Sequence, residues 1–124
     1  MNDRKTVLIL TDESAPVISL AKEISEALGE SIVNLKTAEN FTGTDLLPAQ
    51  IFFIGCEKPG PPSFGYIEKL LTHINLAGRI CGIFCAGDKA AAGYLSELLK
   101  DCEAAVSTAP QTGKISLWAK SLVN

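Results

Sequence analysis

Lys5-Thr6-Val7-Leu8-Ile9-Leu10-Thr11-Asp12-Glu13-Ser14-Ala15-Pro16 carries an apolar run straight into a polar turn and then into a helix-patterned segment. Val7 to Leu10 shows no alternation, as a strand covered on both faces requires. Ser14 two residues before Pro16 suits a helix start, with a serine N-cap and a proline in the first turn. Ile18, Leu20, Ala21, Ile24, Ala27 and Leu28 then share one helical face, and Gly29 is placed to end it. The chain therefore opens strand, tight loop, helix. In an open α/β sheet such a loop is a natural anion site when it offers free backbone N–H groups. This one has no glycine and two acids.

The same alternation continues along the chain. Ile32-Val33-Asn34-Leu35 predicts a second strand, and the polar passage Asn40 to Asp45 holds too little apolar content for a long helix, so a shortened crossover is expected. Gln50-Ile51-Phe52-Phe53-Ile54-Gly55 is the clearest strand and stops at Cys56-Glu57-Lys58-Pro59-Gly60-Pro61-Pro62, a proline and glycine cluster. Ile67, Leu70, Leu71 and Ile74 predict a helix ending near Gly78. Arg79 to Cys85 reads as a fourth strand with its turn at Ala86-Gly87-Asp88. A helix carrying Ala91, Leu95, Leu98, Leu99 and Cys102 follows, then a short fifth strand at Ala104 to Ser107. Leu117, Trp118, Leu122 and Val123 form a last helical face. Alternating β and α segments at this spacing imply parallel strands with right-handed crossovers and helices on both faces. The fold expected is α/β, a three-layer doubly wound sheet of five parallel strands.

Size and composition narrow the function. The chain has 124 residues, 47% of them hydrophobic and 20% charged, which fits one domain over residues 1–124 with its own core and neither repeats nor linkers. A net charge of −3 provides no basic footprint, so no nucleic acid and no anionic membrane surface are expected as partners. No apolar run approaches the roughly 20 residues of a membrane span, and the first residues lack a signal-peptide core. A cytoplasmic location is expected. Cys56, Cys81, Cys85 and Cys102 contain no close CxxC pair and read as reduced, mostly buried thiols.

Three loops at the carboxyl ends of strands together resemble those of flavodoxins, over nearly the whole chain. Thr11 to Pro16 occupies the place of that family's T-x-T-G-x-T phosphate loop. Only Thr11 matches, because Glu13, Ser14 and Pro16 replace the second threonine, the glycine and the last threonine. Ile51 to Cys56 looks like the family's hydrophobic strand ending in glycine. Ala86-Gly87-Asp88 followed by Gly93-Tyr94 resembles its G-x-G-D turn and Gly-Tyr pair, without the leading glycine. The resemblance implies an FMN-binding electron carrier with a redox protein partner. Thr11, Asp12, Glu13, Ser14 and Ala15 would approach the phosphate. Gly55, Cys56, Phe64 and Tyr66 would cover one ring face, and Ala86, Gly87, Asp88 and Tyr94 would border the other side. No residue would perform acid or base chemistry, and whether the chain is an enzyme is left open.

Loop composition supports a second reading. Pro16 has no N–H, Ser14 does not reach positive φ as cheaply as glycine, and Glu13 puts an anion where a hydroxyl donor would stand. A carboxylate within ~4 Å of a phosphate costs about 1 to 4 kcal/mol. The alternative is a cofactor-free flavodoxin-like or pseudo-receiver module acting through regulatory protein–protein contacts. A working receiver needs a phosphorylatable Asp at the end of the third strand, where Gly55-Cys56 stands. Asp12-Glu13 is open to a metal-binding reading and to one in which acids stabilise a helix N-terminus through its dipole. Cys56 is a nucleophile or a structural thiol, and Phe64 and Tyr66 either flank a flavin or close a loop over the core.

Overall fold

Because Val7, Leu8, Ile9 and Leu10 are apolar on both strand faces, the first strand sits inside the sheet with helices above and below. The computed structural model describes residues 6–29, 32–86, 88–110 and 114–123. In chain order the elements are β1 (Thr6–Thr11), α1 (Ala15–Leu28), β2 (Val33–Thr37), α2 (Gly43–Leu46), β3 (Ala49–Cys56), a 3₁₀ turn (Pro62–Phe64), α3 (Gly65–Leu71), β4 (Ile80–Cys85), α4 (Lys89–Leu99), β5 (Ala105–Thr108) and α5 (Ile115–Val123). The five strands are ordered β2-β1-β3-β4-β5, and every pairing is parallel. The chain reverses its direction of winding at the β1/β3 junction, where ligands of such sheets usually sit.

Two apolar layers hold the helices on. Val7, Ile9, Phe53 and Phe84 pack against Val17, Ala21 and Ile24 of α1 and Ile115 and Ala119 of α5. Leu8, Leu10, Phe52 and Ile54 pack against Leu46, Ile67, Leu71, Leu95 and Leu99 from α2, α3 and α4 on the other face. The polar passage after β2 shortens α2 to four residues, as its composition predicts. Arg79 steadies this weak helix, since one guanidinium nitrogen donates to the carbonyls of both Leu46 and Ala49.

Two helices stop earlier than their apolar spacing suggests. α3 ends at Leu71, not near Gly78, because Thr72 Oγ1 donates to the Lys69 carbonyl and the His73 amide to the Leu70 carbonyl. These bonds satisfy groups a continuing helix would use. Ile74 packs on the core from beyond the helix. α4 ends at Leu99, whose carbonyl accepts both the amide and the thiol of Cys102. All four cysteines are free thiols. Trp118 sets its ring edge-on to Phe53 at 5.4 Å and donates from Nε1 to Ser107 Oγ at 3.0 Å, so its role is packing.

Glycines on the two central strands make a reciprocal fit. Gly55 and Phe84 are register partners across β3 and β4, and so are Phe53 and Gly82. Each ring lies over the opposite glycine: a Cβ at Gly55 would stand 2.5 Å from Phe84 Cε2, and one at Gly82 would stand 2.6 Å from Phe53 Cδ2.

Candidate functional site

Three loops leave the carboxyl edge of the sheet together: the one after β1, the one after β3 and the one after β4. At the first, Ser14 is the N-cap of α1 in an extended conformation, and its side chain makes no capping bond. The hydroxyl turns back to Asp12 instead. Asp12 Oδ1 accepts from Ser14 Oγ at 2.8 Å and from the Ser14 amide at 3.1 Å, a local turn that aspartate favours. Its other oxygen, Oδ2, accepts the Glu57 amide at 2.8 Å. The side chain is 6% exposed, so this nearly buried carboxylate bridges the crevice between the ends of β1 and β3. Glu13 does the same on the opposite side, where Oε2 accepts the Glu39 amide at 3.2 Å. Neither acid lies in the first turn of α1, and both act as struts between loops.

The aromatic candidates are drawn away from the crevice. Phe64 is fully buried in the α3/α4 layer, with its ring 6.5 Å from that of Tyr94. Tyr66 is half exposed but faces α2: its hydroxyl accepts the Gly43 amide at 2.9 Å, and its ring lies 6.0 Å from Phe41. Tyr94 donates to Glu68 Oε2 at 2.6 Å. Asp88 caps α4 by accepting the Ala90 amide. Gly87 lies outside the described residues. Gly55 is occupied by the Phe84 ring, as above, and Ala15 opens α1 on the exposed side.

Cys56 closes β3 beneath this edge and is completely buried. Burial, and then the charges of Asp12, Cys85 and Asp88, push its thiol up to about 12. Burial and the bond to Glu68 raise the Tyr94 hydroxyl well above the usual phenol range. Both groups are therefore held protonated in the folded chain. In the unfolded chain they lose protons at lower pH, so the stability they confer is complete below the ordinary thiol value of 9.0 and declines above it. The urea midpoint should stay level between about pH 6 and 8 and fall from about pH 9 upward. A Cys56→Ala/Tyr94→Phe double variant should show a flatter fall, and an unchanged alkaline profile would contradict this assignment.

Sequence reasoning missed a separate hollow on the α1/α5 side. A cavity of about 630 Å³ opens at the ends of β4 and β5 between Pro16, Leu20, Phe84, Ala86, Ala109 and Ile115, with Glu23 and Lys89 among its polar lining. Of the described residues that the resemblance places at a cofactor, Ala86 alone lines it, although Pro16 and Cys85, noted on other grounds, line it too. Its walls come from α1, β4, α4, β5 and α5, so only the folded packing reveals it.

An FMN phosphate requires donors from the first loop, and the loop's own aspartate already engages several of them. The Ser14 amide and hydroxyl already serve Asp12, the Glu57 amide across the crevice is also taken, and Pro16 has no N–H to give. Thr11 Oγ1 is a buried hydroxyl without a partner among the described residues.

The architecture is a doubly wound α/β fold with the flavodoxin strand order. Comparison with solved structures gives that class its particular likeness. A Streptococcus pneumonia TIGR4 flavodoxin matches with a TM-score of 0.76 at 16% identity, over 94% of this chain and 96% of that one. Oxidised flavodoxin 2 from Bacillus cereus matches at 0.69 and 21% identity, over 95% and 94%. A Fusobacterium nucleatum flavodoxin bound to flavin mononucleotide matches at 0.71 and 14% identity, over 88% and 73%. The fold of this chain is flavodoxin-like. No protein-family model and no curated protein sequence matches the chain. Among the described residues, no helix is long and apolar enough to cross a membrane.

Proposed function

We propose that this chain is a flavodoxin-fold module that works without FMN and acts through contact with a protein partner. The observation that carries this reading is the Asp12 carboxylate, which supplies an internal anion to both the Ser14 and the Glu57 amides. An external phosphate would have to displace that carboxylate and then sit beside it, with Glu13 nearby as a second charge. The carboxyl edge is thereby closed by the chain's own acids, which suits a contact face better than a phosphate cradle. Tyr66, 50% exposed, adds apolar surface next to that edge, beside the start of α2.

Titration of FMN with the purified protein tests the reading. No loss of flavin fluorescence is expected with both components at micromolar concentration, and stoichiometric quenching would overturn it. Electron transfer with FMN is the second reading, supported by the unpartnered Thr11 hydroxyl and by a structural neighbour that holds the flavin. In that case the flavin would supply the redox chemistry, and the chain would bind it and tune its potential.

A further inference from the structure

Cys56 and Cys85 are the last residues of β3 and β4, and they are direct register partners across that parallel ladder. Both side chains point to the α3/α4 layer, where Cys56 belongs to the core and Cys85 packs against it. The geometry points to a dithiol that a small disulfide such as oxidised glutathione converts into an intrachain Cys56–Cys85 bond at the carboxyl edge of the sheet.

Spacing favours the bond. Neighbouring strands lie ~4.8 Å apart, inside the roughly 4.4 to 6.8 Å between Cα atoms that disulfides span. Side chains that inherit this spacing must close by about 1 Å at Cβ to reach the usual disulfide value. The pair is the last in the ladder, so the closure is asked of strand ends, with Cys85 the partly exposed member and Cys56 held between the Asp12 bonds to Gly55 and Glu57. Cys81 and Cys102 are instead both fully buried deeper in the same layer, out of reach of a dissolved oxidant.

Exposure assigns the order of events. Cys85 is partly exposed, whereas Cys56 is sealed and its thiol is held protonated, so Cys85 meets the oxidant first. Its thiolate attacks one sulfur of the small disulfide, forming a mixed disulfide and releasing one small thiolate, which takes up the proton Cys85 lost. The Cys56 sulfur then displaces the second small thiolate from Cys85, and the Cys56 proton goes to that leaving group. Two cysteine thiols have lost two electrons and two protons, and one small disulfide has become two thiols. The new bond joins the strand ends from which the loops at Glu57 and Asp88 depart, beside the Asp12 bridge. It thus records the redox state of the surroundings at the face proposed for contact.

The test incubates the folded protein with oxidised glutathione and follows it by thiol titration, intact mass and peptide mapping. The expected result is loss of two of the four thiols, a mass lower by two hydrogen atoms with no glutathione attached, and a Cys56–Cys85 linked peptide. Cys56→Ala should instead trap glutathione on Cys85, and Cys85→Ala should leave Cys56 unreacted. Unchanged thiols, a lasting glutathione adduct on wild-type Cys85, or a link that involves Cys81, Cys102 or a second molecule would overturn the assignment. Should Cys56→Ala fail to fold, the wild-type peptide map decides alone. The outcome is independent of FMN binding, which is read by flavin fluorescence.

Discussion

Asp12→Ala should lower the free energy of unfolding by about 2 to 4 kcal/mol, because it strips a charged acceptor from two backbone amides and one hydroxyl at once. Hydrogen bonds to charged groups contribute roughly 1.5 to 3 kcal/mol each, and a buried donor left unpaired costs about 1 to 3. The sum is discounted because Ser14 and Glu57 are both partly exposed, so water can replace part of what the carboxylate supplies. Asp12→Asn separates the two halves of the bridge. Its carbonyl oxygen can still accept from Ser14, but its NH₂ group has only donors to offer the Glu57 amide. The asparagine variant should therefore lose a smaller but clear part of the stability, with the difference confined to the β1/β3 crevice. Urea denaturation measures the loss, and hydrogen exchange at the Glu57 amide locates it. An Asp12→Ala protein as stable as wild type, with Glu57 exchange unchanged, would show that the bridge does not hold the loops.

The sheet was largely legible from the chain because its evidence is local. Val7 to Leu10 and Ile51 to Ile54 are apolar without alternation, and strands buried on both faces have no other way to appear. The short α2 was likewise readable from the polar residues around it. What escaped depends on distance along the chain. Asp12 finds its partner 45 residues away at Glu57, and Glu13 finds Glu39 26 residues away. An acid beside a helix start therefore reads as a dipole partner until the neighbouring loops are placed. Phe64 and Tyr66 are equivalent in the sequence, two aromatics after a proline cluster. The 3₁₀ turn at Pro62–Phe64 and the start of α3 send one into the core and the other toward Gly43. The cavity between α1 and the ends of β4 and β5 leaves no local trace, since its walls come from five elements.

Gly55 shows most sharply how a motif and a packing constraint look alike, and its replacement separates them. If this glycine were present to let a ligand approach the backbone, Gly55→Ala would leave the fold intact. The structure requires a different result. The new Cβ would stand 2.5 Å from Cε2, 2.7 Å from Cδ2 and 2.7 Å from Cζ of Phe84. That ring is 1% exposed, and relief of the clash requires it to shift toward the cavity it lines. Gly55→Ala should cost about 1 to 3 kcal/mol, in the range of overpacked cores. Gly82→Ala should cost at least as much, because its Cβ meets Phe53 at 2.6 Å and Trp118 at 2.8 Å. A double-mutant cycle makes the assignment decisive. Phe84→Ala alone should cost about 3 to 5 kcal/mol through the cavity it leaves. Once the ring is gone, adding Gly55→Ala should cost almost nothing, since the methyl group enters the vacated space. Coupling of about 1 kcal/mol or more between the two positions would mark a direct contact. Additive losses would mean that Gly55 answers to something other than Phe84, and the ligand reading of that position would then regain its force.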